Sequence, residues 1–533
     1  MSKMLDVKIV PHRNYLMADT PDQKLFIELK LSSNKLHIAA ASFPASFPEG
    51  DAADHTLSAS PLSIVFVVDT SGSMREIVSG STQFTGQTQT IDSNTYNLVT
   101  GGESKIGIII EGLKKFVGSS KLKKTDRISI VKFDDDAKVL LPFTNADDEN
   151  KNIITEAIEN LLKYSGGTSM GAGLKTALEL MSKETASRRI IMLTDGQTSD
   201  EDLVRETASG LAKENTPVIA IGIGEDWNED LITYITDKTQ GKPFYATTET
   251  VIMPAADANG KIGSNININS SGNNNNKNKN NINDSINNNN SNNNNINNNY
   301  NNNNNIAIKP SDIPEVMIKE LDRAVSESLT GISLAINAVH DVKIDRITRV
   351  YPEVSEADIN IKPHSLGNIS ETGSTVFIIE ATIPERKQLK SRLMQLSLTY
   401  NVPGINFRDE NPPEDVIVEF TMDESKASVI DQEVMQWVQQ RNVGGLVEKA
   451  IKEAASNPSN AAKTLDMARR MTVKLGNGAM TRMIEQAQNE IKEKKTISLG
   501  TSKTLRIGSR TKTVKLDAGQ GLSDEQIRKL TGI

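Results

Sequence analysis

The chain has 533 residues, 37% of them hydrophobic, a formal net charge of -8 and no cysteine. Its length exceeds what one compact core accommodates, so two to four domains are expected. The lack of cysteine excludes disulfide-stapled extracellular folds and cysteine-ligated zinc modules, and the acidic balance disfavours general binding to nucleic acid or anionic membranes.

The first 60 residues carry the pattern of a β segment. Leu25, Ile27, Leu29 and Leu31 alternate with other side chains, which is the period of half-buried strands. Residues 1–60 are therefore predicted to form strands and turns ahead of the next domain.

Residues 61–330 contain continuous apolar runs, which are typical of parallel strands covered on both faces. The runs are 64–68, 128–131, 190–193 and 218–221. Helical patterns lie between them, at 106–116, 153–162, 174–181, 202–213 and 230–235. Strands that alternate with helices predict an α/β domain with a doubly wound parallel sheet.

An Asn-rich tract interrupts this domain. Residues 264–306 contain too little apolar surface to offset chain entropy, so a disordered insertion is predicted there. A helix start follows at 311–315, and a strand pattern precedes the tract at 244–246. We therefore interpret the tract as an insertion before the last helix of the domain and not as a domain boundary.

Strand patterns return after the α/β domain and give way to helices. Residues 331–425 are predicted to join the N-terminal strands in a β-sandwich, in which the α/β domain is inserted or by which it is flanked. Residues 426–494 have helical spacing. Residues 495–533 carry many Lys and Arg residues in alternating order, which predicts a basic hairpin and tail.

Polar side chains follow the first apolar run and reappear at two later points. Asp69, Ser71 and Ser73 lie at alternate positions directly after that run, Thr168 precedes a predicted helix, and Asp195 ends the third run. Because ligands bind beyond the carboxyl ends of strands in a doubly wound sheet, these side chains should meet at one edge. Two carboxylates and three hydroxyls suit Mg²⁺, with Mn²⁺ or Ca²⁺ as alternatives.

The Asp69–Ser73 turn has two other interpretations, a helix cap and a loop of an aspartic protease. Ser and Asp are ordinary helix-capping residues, so the turn alone fits a simple cap. Asp-Thr-Ser-Gly also resembles the Asp-Thr-Gly loop of aspartic proteases, but a Ser precedes the glycine and a second such loop is missing from the sequence. The presence of Thr168 and Asp195 favours the metal site.

In this order and strand context, the five residues resemble the metal-ion-dependent adhesion site of von Willebrand factor A (VWA) domains. The resemblance covers about residues 60–330. It implies that Ser71, Ser73 and Thr168 contact the ion, that Asp69 and Asp195 act directly or through water, and that one position remains for an acidic group of a partner. The arrangement is similar to intracellular and bacterial proteins that combine such a domain with flanking strands and a helical tail.

Three further segments carry charge or polarity. Residues 75–104 separate the metal turn from the helix that is expected to follow it, and they are either a partner-selecting insertion or a solvated loop. The acidic run 134–136 is expected to be a solvated turn, with a second cation site as the alternative. The basic stretch 503–515 lacks interleaved aromatic residues, so a solvated face is favoured over a nucleic-acid surface.

These patterns predict a non-enzymatic, Mg²⁺-dependent scaffold of an intracellular assembly that binds a protein partner through an exposed Asp or Glu. A cytoplasmic location, no membrane span and no nucleic-acid partner are expected, since no apolar run reaches the length of a signal peptide or membrane helix. A metal-dependent hydrolase or phosphoryl-transfer enzyme is the alternative, although no His or Cys is placed as a base or nucleophile. A purely structural VWA protein is the third possibility.

Overall fold

The structure is a computed structural model that describes residues 4–33, 61–246 and 309–516, except 81, 92–93, 185, 225, 371–372 and 403–406. Within these residues the strands are β1 Leu5–Pro11, β2 Tyr15–Met17, β3 Gln23–Ser33, β4 Leu62–Asp69, β5 Ile77–Ser79, β6 Gln83–Ile91, β7 Asn94–Thr100, β8 Glu103–Ser104, β9 Arg127–Phe133, β10 Ala137–Asn145, β11 Ser187–Thr194, β12 Val218–Ile223, β13 Lys242–Ala246, β14 Glu327–Ala338, β15 Lys343–Tyr351, β16 Ser355–Glu356, β17 His364–Ser370, β18 Thr375–Ile383, β19 Lys390–Val402, β20 Phe407–Glu410 and β21 Glu414–Thr421.

The α-helices of the same residues are α1 Lys105–Val117, α2 Lys151–Glu159, α3 Met170–Met181, α4 Glu201–Lys213, α5 Glu229–Lys238, α6 Ile313–Val325, α7 Glu424–Ala427, α8 Gln432–Ala454, α9 Pro458–Lys474, α10 Gly478–Lys494 and α11 Leu499–Thr511. No helix within the described ranges is both long and apolar enough to cross a membrane.

The α/β domain is built on a six-stranded sheet with the order β10–β9–β4–β11–β12–β13. Its strands run parallel except β10, which pairs antiparallel with β9 as an edge strand. Every residue of β4 is buried, because helices cover both faces of the sheet. Phe66 packs into the core on one face, and Val65 and Val67 pack into the core on the other. The carboxyl ends of β4 and β11 therefore lie side by side at one edge, here called the metal edge.

Strands from before and after the α/β domain form the two sheets of a β-sandwich. One sheet has the order β1–β3–β18–β15–β16, and the other has the order β17–β14–β19–β21–β2. In the first sheet Leu29 of β3 is the register partner of Phe377 of β18. Leu25, Leu29, Phe377 and Leu398 contribute to one shared core. The prediction that the α/β domain is inserted in a sandwich is confirmed.

The C-terminal region is helical from α8 onwards, as predicted for its first part. The predicted basic hairpin is wrong, because residues 499–511 form helix α11, which begins after the capping residue Ser498. This helix packs against α8, α10 and β13, so side chains on more than one of its faces are buried. Leu505 and Ile507 are both buried for this reason, and their spacing of two residues imitates the alternation of a strand.

The strand and helix that bracket the Asn-rich tract are β13 and α6, which agrees with the predicted position of the insertion. The predicted disorder of residues 264–306 concerns a segment outside the described residues.

Candidate metal centre

The metal turn begins where β4 ends. The buried Asp69 carboxylate accepts a hydrogen bond from the backbone N–H of Ser71 through Oδ1, at 2.9 Å. Residues Gly72–Arg75 then form one turn of 3-10 helix. The hydroxyl oxygens of Ser71 and Ser73 lie 3.1 Å apart, and Ser73 is exposed. The turn therefore presents two hydroxyl oxygens close together at the metal edge.

The end of β11 brings a second carboxylate to this turn. The Ser73 hydroxyl donates to Oδ1 of Asp195, at 2.8 Å. The neighbouring Thr194 hydroxyl donates to Oδ2 of Asp69, at 2.7 Å. Two strands that are adjacent in the sheet are thus joined by hydrogen bonds between their terminal side chains. Four of the five predicted residues form one connected network.

Thr168 reaches the site from the loop that precedes α3. Its hydroxyl oxygen lies 3.8 Å from the position that a Cβ on Gly196 would take, next to Asp195. The loop is fixed by Asp135, whose Oδ1 accepts the backbone N–H of Gly167 at 2.9 Å. A Cβ on Gly166 would lie only 2.5 Å from Oδ2 of Asp135, so a larger residue there would displace the Asp135 side chain. All five predicted residues therefore lie at one edge of the sheet.

The donor set fits a hard divalent cation. The donors are carboxylate and hydroxyl oxygens, which Mg²⁺ prefers over sulfur or imidazole. The described residues contain no group of three or more His, Cys, Asp or Glu side chains placed to hold a metal ion, so the hydroxyl groups are an essential part of any ligand set here. Burial raises the pKa of Asp69 to about 6, although hydrogen bonds from Ser71 and Thr194 oppose the rise. A cation beside this carboxylate would favour its charged form.

One residue of the acidic run 134–136, Asp134, accepts a hydrogen bond from the metal turn. Asp135 and Asp136 are exposed in the turn between β9 and β10, as predicted, but Asp134 is buried. The Thr70 hydroxyl donates to Oδ2 of Asp134 at 2.9 Å, and the buried Lys132 donates to Oδ1 at 2.6 Å. This role of Asp134 was not predicted, because the run of three aspartates does not indicate which of them contacts Lys132 and Thr70.

A second buried lysine contacts the site directly, and the sequence analysis missed it. The ammonium group of Lys105 donates to Oδ2 of Asp195 at 2.7 Å and to Oε2 of Glu76 at 2.5 Å. Burial lowers the pKa of Lys105, but these two carboxylates outweigh burial and raise it overall. Lys105 is therefore charged in the folded protein.

Residues 75–104 form an excursion at the metal edge. Strands β6 and β7 pair as a hairpin whose first strand is almost fully exposed, and Phe84 is 76% exposed. The hairpin touches the domain through Tyr96, whose hydroxyl bonds to that of Ser165 and whose ring lies under the guanidinium of Arg75. The insertion is thus a projecting β-hairpin beside the metal turn.

Comparison with models of protein families identifies the α/β domain that carries the metal turn. The model described as von Willebrand factor type A domain matches residues 63–255. The chain contains a VWA domain. A second model, the Sll0103-like C-terminal alpha-helical domain, matches residues 432–515 and covers α8 to α11. VWA domains commonly bind a divalent metal ion and mediate protein–protein interactions.

Relatives and solved structures agree with the VWA domain. An uncharacterised Synechocystis protein, sll0103, is 29% identical over 228 residues, which are 42% of this chain and 44% of that protein. The chain thus matches less than half the length of this relative. A von Willebrand factor type A protein from Catenulispora acidiphila has a TM-score of 0.65 at 15% identity, covering 97% of this chain and 98% of that one. The ArnB paralog VWA2 from Sulfolobus acidocaldarius has a TM-score of 0.50 at 13% identity, with 96% and 100% covered. At these identities the two structures show the shared fold.

Proposed function

We propose that this protein is a non-enzymatic, metal-dependent protein-binding scaffold of an intracellular, cytoplasmic assembly. Asp69, Ser71, Ser73, Thr168 and Asp195 would hold Mg²⁺, with Mn²⁺ or Ca²⁺ as alternatives, and the ion would coordinate an exposed Asp or Glu of a partner protein. The observation that carries this proposal is the continuous set of oxygen atoms that runs from Ser71 through Ser73 to Asp195 at the metal edge.

The charges and exposure of the site support a partner of this chemistry. Two carboxylates offset a divalent cation without saturating it, so an additional carboxylate still gains Coulomb energy. Ser73 is exposed whereas Asp69 and Ser71 are buried, so the site is open on the solvent side and closed towards the sheet. The hairpin with Phe84 projects at the same edge and offers apolar surface to a partner.

The test uses Ser73→Ala, which removes one exposed ligand oxygen and leaves the buried network around Asp69 in place. We expect wild type to gain about 2.7 kcal/mol of stability at a Mg²⁺ concentration a hundredfold above Kd, and the variant to gain much less. Thermal melting with Mg²⁺ and with EDTA measures the difference. Affinity purification under the same two conditions should show protein partners that EDTA and Ser73→Ala both remove.

A matched control is Ser182→Ala. Ser182 is an exposed serine that caps the carboxyl end of α3, the helix whose amino end follows Thr168. It lies one helix length, about 18 Å, from the metal edge, so its loss should change neither the Mg²⁺ response nor the partners. Equal melting of wild type in Mg²⁺ and EDTA, together with unchanged partners, would contradict the proposal.

A further inference from the structure

Lys105 stands where a lysine is electrostatically unfavourable. It is 3% exposed and is the first residue of α1, so the positive end of the helix dipole opposes its charge. Burial of an ammonium group adds a second cost. Gly224, at the end of β12, leaves room for the side chain, because a Cβ there would lie 3.3 Å from Cε of Lys105. The fold thus directs a charged amine into the metal edge.

The side chain of Asp195 is shared between this amine and the metal turn. Its Oδ2 accepts from Lys105 at 2.7 Å, and its Oδ1 accepts from Ser73 at 2.8 Å. The side chain of Asp195 has no exposed surface, so neither interaction is strongly screened by water. The carboxylate of Asp195 would therefore attract two positive charges, the ammonium of Lys105 and a cation bound at the serine hydroxyls.

We propose that Lys105 is the internal counter-charge of the metal site: it weakens the binding of the divalent ion and makes the loaded site attract a carboxylate ligand. This inference rests on the metal site proposed above. Without an ion, Lys105 keeps Asp195 neutralised, so the edge stays folded. With an ion, the carboxylates of Asp69, Asp195 and Glu76, the ammonium of Lys105 and the divalent cation sum to zero, whereas the same site without Lys105 would keep one negative charge that repels an acidic partner.

The consequence is a coupling between ion and partner. Without Lys105, an ion beside Asp69, Asp195 and Glu76 would lie in a site with excess negative charge. With Lys105 present, the ion is held weakly until a carboxylate joins it, and by thermodynamic reciprocity the carboxylate is held weakly without the ion. The free protein would then release its ion readily, and partner and ion would bind and leave together.

The experiment measures ion affinity directly, in the full chain. Mn²⁺ is titrated by electron paramagnetic resonance and Mg²⁺ by calorimetry, for wild type, Lys105→Met and Lys105→Gln. Removal of a positive charge so near a buried carboxylate should tighten ion binding by a factor of about ten or more. Lys105→Gln keeps a hydrogen-bond donor for Asp195 and supplies the answer if the methionine variant does not fold. Acetate, as a model carboxylate, should strengthen Mn²⁺ binding to wild type more than to either variant.

Two further variants separate a local effect from a general change of charge. Lys132→Met also removes a buried lysine beside the metal turn, but that lysine pairs with Asp134 and should change ion affinity far less. Glu76→Gln removes the second partner of Lys105 and should weaken ion binding, which is the opposite direction. If wild type binds Mn²⁺ and both Lys105 variants bind it no more tightly, the inference fails while the metal site stands. If wild type binds no divalent ion, the proposed function and the inference fail together.

Discussion

Two regions of this molecule are rich in charge, and they use it in opposite ways. The first is the metal edge, and the second is the clamp, which we define as the basic face of α11 with the α5 residues that it contacts. In the clamp, Arg506 pairs with Glu229 at 2.9 Å and Arg510 pairs with Asp237 at 2.6 Å. At the metal edge, Asp195 also pairs with a cation, Lys105, but among the described residues Asp69 accepts hydrogen bonds from the neutral groups of Ser71 and Thr194 only.

The difference shows that charge density alone does not indicate a binding surface. The basic C-terminal stretch was predicted to be a solvated face, with a nucleic-acid surface as the alternative. The structure contradicts the solvated face, because Arg506 and Arg510 pair with acids of α5 and the buried Lys503 donates to the carbonyl oxygen of Trp227 at 3.2 Å. At the metal edge, by contrast, Ser73 is exposed, and the buried carboxylate of Asp69 is bonded to no cationic side chain of the described residues.

Helix α11, which carries the basic face of the clamp, should be more sensitive than the metal edge in a stability measurement. Ile507 of α11 is 2% exposed and packs into the core on one face of the VWA sheet. We expect Ile507→Ala to lower the free energy of unfolding by about 2–4 kcal/mol, since a buried cavity is left behind. Urea unfolding followed by circular dichroism measures this change.

The control for this variant lies on the same helix. Leu499 is 68% exposed, so Leu499→Ala should change stability by less than about 0.5 kcal/mol. Equal small effects for the two substitutions would show that α11 does not hold the VWA domain.

A buried carboxyl group outside both regions, that of Glu28, has no hydrogen-bond partner in the described part of the chain, and its pKa is raised. Glu28 of β3 is buried, and its carboxylate accepts no hydrogen bond from any described residue. Burial, reinforced by Glu433, raises the pKa of Glu28 to about 7, although Lys8 and Lys30 oppose the rise. Folding raises the pKa of Glu28, so the protonated carboxyl contributes fully to the stability of the folded protein below about pH 4.5. This contribution to stability is lost as the pH rises through about 7.

We therefore expect Glu28→Gln to flatten the pH dependence of stability. At pH 8 the variant should be more stable than wild type by about 2 kcal/mol, a value discounted for screening by the nearby lysines. Thermal melting between pH 5 and pH 8 measures this difference. A wild-type stability that is constant over that range, or that increases, would disprove the assignment.

The smallest effect on stability is expected at the hairpin. Phe84 is 76% exposed, so Phe84→Ala should change the free energy of unfolding by less than about 0.5 kcal/mol. Capture of EDTA-sensitive partners should nevertheless weaken, since exposed aromatic side chains are frequent anchors in interfaces. Quantitative pull-down under Mg²⁺ tests this expectation.

Ile153→Ala provides the comparison. Ile153 is 55% exposed and lies in the first turn of α2, which follows the end of β10 that is opposite to the metal edge. The substitution should alter neither stability nor capture. If Phe84→Ala and Ile153→Ala behave alike in the pull-down, the hairpin takes no part in binding.

The α/β domain and its metal edge could be predicted because their signals are local. A fully buried strand such as β4 has an uninterrupted apolar run, and the parallel arrangement brings the ends of β4 and β11 together wherever the intervening chain goes. Asp69 and Asp195 follow those runs directly, so their meeting required only the sheet order. The same argument placed the Asn-rich tract between β13 and α6.

The residues that were missed depend on tertiary contacts without a local pattern. Lys105 contacts Asp195 from a helix that begins after the long insertion of residues 75–104. The spacing of residues in that insertion does not predict where the chain re-enters the domain. Helix α11 was mistaken for a hairpin because it is buried on more than one side, so its apolar residues do not form one helical stripe. Both errors concern segments whose environment is set by distant parts of the chain.

The excursion that carries the hairpin leaves and re-enters the domain at nearly one point. The backbone N–H of Lys105 donates to the carbonyl oxygen of Glu76 at 3.1 Å, and β5 pairs with β8 just beyond. A shortened segment in place of residues 77–104 would therefore have only a small gap to bridge, and the six-stranded sheet, which takes no strand from this segment, would keep all of its strands.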